Sequence, residues 1–74
     1  MKKVEINIHG IYDITRFVKY ASDVKSDINV YKDNQVIDGS SLMSMMTIDS
    51  SKNLIVEYPE DAKDFEDFLA PFIV

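Results

Sequence analysis

The chain is poor in the residues that most often carry chemistry or act as staples. It has no cysteine, so it can form no disulfide and use no thiol nucleophile, a usage that fits a reducing compartment. A single histidine among 74 residues leaves no ligand set for a structural zinc, and no metal is expected. The N-terminus, Met1-Lys2-Lys3-Val4, leads straight into an alternating strand with no uninterrupted apolar run. Neither a signal peptide nor a membrane span is expected, and the implied address is cytoplasmic. Positive charge is also scarce, with eight basic against thirteen acidic residues, a formal charge of −5, and only Lys2 and Lys3 adjacent. Nucleic-acid binding needs clustered Lys and Arg, so direct contact with nucleic acid is set aside. With two glycines there is no glycine-rich phosphate loop, and no nucleophile–base pair stands at a motif spacing. An independent enzyme with a cofactor is not expected.

What is present reads as one domain over residues 1–74, without repeats, low-complexity stretches or linkers. A chain this small leaves much of its surface wet. Val4, Ile6 and Ile8 alternate with polar residues, the period of a half-buried strand, until Gly10 breaks it. Asp13 is placed to cap a helix beginning at Tyr12 or Asp13, in which Ile14, Phe17, Val18, Ala21 and Val24 form an apolar stripe. Ile28 and Val30 resume a period of two, and Asp33-Asn34 is a tight turn into Gln35–Asp38, a hairpin closed by Gly39. A short helix follows from about Ser41. Leu54, Val56 and Tyr58 share one face of another strand, which Pro59 stops. Pro59 can also begin a helix, with Glu60 and Asp61 at its positive end and Ala62, Phe65, Phe68, Leu69 and Phe72 as its stripe. Pro71 should end that helix near Ala70. The acidic stretch from Glu57 to Asp67 reads as a solvated helix face. The expected fold class is α+β: an open-faced sandwich of order β-α-β-β-α-β-α, with an antiparallel four-stranded sheet covered on one face by helices. Burying a Phe is worth roughly 1.5–3 kcal/mol, so Phe17, Phe65 and Phe68 should dominate the core.

The most informative segment is Ser40-Ser41-Leu42-Met43-Ser44-Met45-Met46-Thr47-Ile48. A hydroxyl pair able to accept free N–H groups at a helix start leads into a helix face rich in methionine. Methionine surfaces adapt to several partners. Met45 is the residue expected to be buried, and Leu42, Met43 and Met46 form a candidate partner-binding patch. Phosphate on Ser41 would lie in the positive field of the helix end. A capping serine and a switch serine look alike in sequence, and both readings stand for Ser41.

This order of elements, with Ser41–Ile48, Ala21-Ser22 and Ser26-Asp27-Ile28-Asn29 at gapless spacing, resembles the HPr family. HPr is the small phosphocarrier of the bacterial phosphoenolpyruvate-dependent sugar phosphotransferase system (PTS). The resemblance implies that Ser41 matches the family's regulatory serine, phosphorylated by an HPr kinase, and that Leu42 and Met43 help form a docking patch. At the start of the first helix, family members carry Gly-Ile/Leu-His, a small residue, Arg and Pro. This chain reads His9-Gly10-Ile11-Tyr12-Asp13-Ile14-Thr15-Arg16. Matching Gly10-Ile11 to the motif puts Tyr12 at the histidine, Ile14 at the arginine and Thr15 at the proline. Matching without a gap back from Ala21 puts Gly10 at the histidine, Tyr12 at the arginine and Asp13 at the proline.

Neither alignment places a histidine on the helix end. A phosphohistidine needs an imidazole beside backbone N–H groups and cationic help, whereas Asp13 brings negative charge and the Tyr12 phenol is a weak nucleophile near neutral pH. Arg16, one turn in, could supply positive charge or point to solvent. His9 is the displaced acceptor candidate if a shortened loop brings it to the helix start, and otherwise an ordinary exposed histidine at a strand end. The resemblance thus extends to the catabolite-repression HPr homologue, which lacks the phosphoryl-accepting histidine and keeps the serine. It implies a regulatory interaction protein, monomeric or weakly dimeric, whose partners are an HPr kinase, a LacI-type catabolite control protein or enzyme I. The alternatives are a divergent phosphocarrier using His9 and a constitutive binding module that keeps only the fold.

Overall fold

The structure is a computed structural model that describes residues 1–48 and 53–74. Its elements are β1 (Lys2–Ile6), α1 (Ile11–Ser22), β2 (Asn29–Lys32), β3 (Gln35–Asp38), α2 (Leu42–Met46), β4 (Leu54–Tyr58) and α3 (Lys63–Leu69), closed by a 3-10 turn at Ala70–Phe72. The strands form one antiparallel sheet in the order β1-β4-β2-β3. This is the α+β open-faced sandwich that the alternation predicts. Among the described residues no helix is long and apolar enough to cross a membrane.

The period of two sets the two faces of the sheet. Val4 faces Val56 and Ile6 faces Leu54, while Val30 also faces Val56 from the other side. These inward residues meet Ile14, Phe17 and Ala21 of α1, Met45 of α2, and Phe65, Phe68 and Leu69 of α3 in one buried cluster. Phe17 sets its ring edge-on to Phe65 at 5.3 Å and to Phe68 at 6.3 Å, geometries that add to plain burial. Tyr58 is as buried as these rings and lies edge-on to Phe65 at 5.7 Å. Its hydroxyl donates to Glu66 Oε2 at 2.8 Å, an oxygen that also receives Lys2 Nζ at 2.9 Å. Burial first, and then the Glu66 bond, push the Tyr58 phenol up to about 12.

Among the described residues, Gly10 and Asp33 carry the positive φ angles, at 91° and 52°. Asp tolerates the left-handed region better than most side chains, and Asp33-Asn34 makes the expected hairpin turn between β2 and β3. Three expectations need correction. Asp13 does not cap α1. Gly10 stands at the N-cap with no side-chain bond, its carbonyl accepts from Ile14 N at 3.1 Å, and the helix starts at Ile11. A backbone turn open to glycine replaces the side-chain cap, so Asp13 falls inside the first turn. Pro59 does not begin a helix: its carbonyl accepts from Ala62 N at 3.1 Å in a turn, and α3 starts at Lys63. Glu60 and Asp61 therefore sit ahead of the helix, while Asp64 and Glu66 occupy its early positions. Ile8 is buried as expected but lies beyond β1. The end of the chain returns to that strand, with Ile73 bridging Ile6 and Val74 N donating to Glu5 O at 3.1 Å. That pairing covers part of an otherwise open edge.

Candidate functional site

Two helix starts carry the candidate residues, and α1 packs against α2. The approach to α2 is fixed by backbone contacts. Gly39 N donates to Ile28 O at 2.8 Å, and a Cβ on Gly39 would lie 2.7 Å from Ile28 Cγ2, so only glycine lets the turn come this close. Asp38 Oδ1 then accepts from both Ser40 N, at 3.0 Å, and Ser40 Oγ, at 2.7 Å. These bonds, the hydroxyl's first, hold the Asp38 carboxyl below its ordinary pKa. Ser41 follows as the N-cap of α2: its Oγ accepts from Ser44 N at 3.4 Å and its carbonyl from Met45 N at 2.9 Å. The helix then divides its side chains. Met45 is fully buried, as expected, whereas Leu42 is 39 %, Met46 55 % and Met43 83 % exposed. Exposed Val36 of β3 lies across a shallow groove from Met43, with Asp38, Ser44 and Thr47 also lining it.

The start of α1 is built differently. Ile11 and Tyr12 are exposed, and Thr15 Oγ1 donates back to Ile11 O at 2.6 Å. Arg16 neither points freely to solvent nor offers an unbalanced charge. Its Nη1 lies 3.7 Å from Asp13 Oδ1, and its guanidinium carbon is 5.5 Å from the Tyr12 ring centre and 5.1 Å from that of Phe68. Tyr12, Asp13 and Arg16 therefore form one local cluster, in which a cation is held by a carboxylate and two rings. His9 stands outside it. It is exposed, directly ahead of Gly10, with Nδ1 at 3.3 Å from Asn7 Oδ1.

Two features escaped the sequence reading. The brace of Asp38 on Ser40 had a signal, because an Asp two residues before a Ser is a common turn arrangement. The side chains that hold His9 had none, since Asn7 bonds Asn53 across the sheet.

Residues 13–70 match the family model described as the PTS HPr component phosphorylation site, a segment that contains Ser41 and α2 and begins after His9. No curated protein matches the chain. The crystal structure of HPr-C-His from Thermoanaerobacter tengcongensis is similar with a TM-score of 0.75 and 26% identity, covering 96% of this chain and 89% of that one. A phosphocarrier protein HPr from Bacillus anthracis str. Ames is similar in fold, with a TM-score of 0.64 and 20% identity over 96% of this chain and 93% of that one.

Proposed function

The chain belongs to the HPr family of the phosphotransferase system, and from that premise we propose that it is a cytoplasmic regulatory interaction protein that is not a phosphocarrier. Leu42, Met43 and Met46 dock partner proteins, and phosphorylation of Ser41 switches the docking. The observation that carries this reading is the division of α2: Ser41 caps the helix beside a solvent-facing apolar patch, while Met45 anchors it in the core. A phosphoserine brings about −1.5 to −2 charges at neutral pH. Placed at Ser41, next to the ionised Asp38–Ser40 turn, that charge would turn the edge of an apolar patch into an anionic one. A partner for the phosphorylated state then needs cationic groups beside an apolar face. A partner for the unmodified state needs the apolar face alone. The candidates are the HPr kinase, a LacI-type catabolite control protein and enzyme I, met by a monomer or weak dimer.

The test is intact-protein mass spectrometry after incubation with ATP and a bacterial HPr kinase, with Ser41→Ala alongside. One added phosphate on the parent and none on the variant supports the switch. No addition by a kinase active on ordinary HPr reduces Ser41 to a helix cap. The constitutive module docking through Met46 would then lead.

A second reading, phosphoryl transfer to His9, is favoured by one observation: His9 is exposed and immediately precedes Gly10, the N-cap of α1. Its test is labelling from phosphoenolpyruvate through enzyme I. An acid-labile, base-stable modification lost in His9→Ala supports it, and no labelling by a competent enzyme I removes it.

A further inference from the structure

The oxidisable sulfur of this chain is concentrated on one short helix. With no cysteine and four methionines, thioethers are its only sulfur atoms. Three of the four stand within the five residues of α2, none of which is charged. Helix formation does not require them, because leucine and methionine have nearly the same propensity, and Leu42 fills a position on the same exposed face. The fold divides the three by access: Met45 is fully buried, whereas Met43 and Met46 are open to solvent. Met43 also lines the groove beside Val36, Ser44 and Thr47. Met1 is as accessible as Met46, at 61 % against 55 %, but it precedes β1 and its amine lies by Glu60, apart from the patch. Oxidation exchanges an apolar sulfur for a polar sulfoxide. Pressed against an apolar partner without a donor, that oxygen loses its bonds to water, a penalty of about tenfold or more in affinity. On the free protein the same oxygen stays hydrated, so the fold is kept.

We propose that Met43 and Met46 form a reversible oxidation site, at which hydrogen peroxide turns the docking face of α2 from apolar to polar and releases its partners. The site stands on the exposure of the two sulfurs, and its effect on binding rests on the docking reading above. The sulfur lone pair attacks one peroxide oxygen and forms the S–O bond as the O–O bond breaks. The departing hydroxide takes the proton of the new S–OH group and leaves as water. Sulfur loses two electrons, and the peroxide gains them. A dithiol reductase reverses the step, releasing a water as its two thiols close to a disulfide. Oxidation and phosphorylation therefore act on one patch by different means. Phosphate on Ser41 adds charge at its edge and leaves the apolar face in place, whereas sulfoxides remove the apolar face that partners of both serine states need.

The test is mild hydrogen peroxide treatment of the folded protein, removal of the peroxide with catalase, and peptide mapping by mass spectrometry. Sulfoxide is expected at Met43, Met46 and Met1, with Met45 unmodified until urea unfolds the chain. Met45 oxidised as fast as Met43, or Met43 and Met46 both spared, overturns the site. The treated protein then receives ATP and a bacterial HPr kinase, and its rate of phosphate gain is divided by that of the untreated protein. That ratio should fall about tenfold or more. It should recover after reduction by methionine sulfoxide reductases specific for each sulfoxide epimer. An unchanged ratio, or a loss that reduction does not reverse, overturns the switch. In Met43→Leu combined with Met46→Leu, whose untreated rate is its own reference, peroxide still reaches Met1 and the ratio should not fall. An equal loss in that variant assigns the effect to Met1 and overturns the switch as well. An untreated parent that an active kinase does not phosphorylate defeats the docking reading, and the switch with it, while the sulfoxide map is unaffected.

Discussion

The starts of α1 and α2 meet one requirement in two ways. Each must satisfy N–H groups that have no partner within the helix. At α1 the chain turns on Gly10 with φ 91° and no side-chain cap, and the first charges are closed on themselves through Asp13 and Arg16. At α2 a serine hydroxyl makes the cap, no acidic residue stands in the first turn, and three apolar side chains face solvent. The first start is electrostatically finished, whereas the second can still gain a charge that changes what it binds. This difference is why the regulatory reading rests on α2, and why Arg16 offers little to an incoming anion.

The largest expected effect separates the two faces of α2. Met45 is fully buried and Met43 is 83 % exposed. Met45→Ala should cost about 2–5 kcal/mol through lost burial and a residual cavity, read as a lower urea midpoint. Met43→Ala should stay within about 0.5 kcal/mol of the parent, yet weaken capture of a patch-binding partner. A reversed order of stabilities would mean that α2 docks on its other face, and the proposed patch would be lost.

The next effect tests how α1 begins. An added Cβ on Gly10 would meet nothing within 4 Å, so Gly10→Ala is a question of backbone strain alone. Holding an L-residue at that φ should cost about 1–3 kcal/mol. Gly39→Ala is expected to cost a similar amount for another reason, the 2.7 Å approach to Ile28 Cγ2. Thermal unfolding of the parent and the two variants reads both costs.

Much of this architecture was legible in residue order. Val4, Val56 and Tyr58 repeat with the period of strands, and Ile14, Phe17 and Ala21 with that of a helix. Ser41 and Met45 were legible too, because a short amphipathic helix after a hydroxyl pair leaves few arrangements. The start of α1 was not. Asp13 is the obvious capping residue in sequence, and a glycine that ends a strand gives no sign that its φ is positive. Pro59 misled for a related reason, since the same ring suits the end of a strand and the start of a helix. The bond between Asn7 and Asn53 could not be read at all, because the two lie far apart in sequence and meet only through the register of β1 on β4.

The serine cap should have a smaller effect than either glycine. Ser41→Ala removes the acceptor for Ser44 N, a loss of about 1 kcal/mol for an ordinary N-cap. The separation of 3.4 Å is long for such a bond, so the cost belongs toward the lower end of that range. Ser41→Asp keeps an acceptor and adds negative charge, and should hold the stability of the parent. A stable Ser41→Asp with altered partner binding would assign the effect to charge on the patch, whereas altered binding in Ser41→Ala alone would assign it to loss of the cap.

The smallest effect lies one residue earlier. Ser40 donates twice to Asp38 and lowers its pKa, chiefly through the hydroxyl. A carboxyl depressed by folding stabilises the protein at pH values above the unfolded carboxylate pKa of about 3.9. That contribution is lost as pH falls through the lower folded value, because protonation removes the acceptor that the fold favours. Ser40→Ala removes the hydroxyl and leaves only the backbone donor, so the Asp38 titration followed by NMR should move upward toward the ordinary value. The acid limb of the stability profile should become correspondingly less steep in that variant. An unchanged Asp38 titration in Ser40→Ala would show that the hydroxyl bond does not persist in solution. The approach to α2 would then hold its shape through Gly39 and the Ile28 carbonyl alone, and the contrast with the glycine-built start of α1 would shrink to the Ser41 cap.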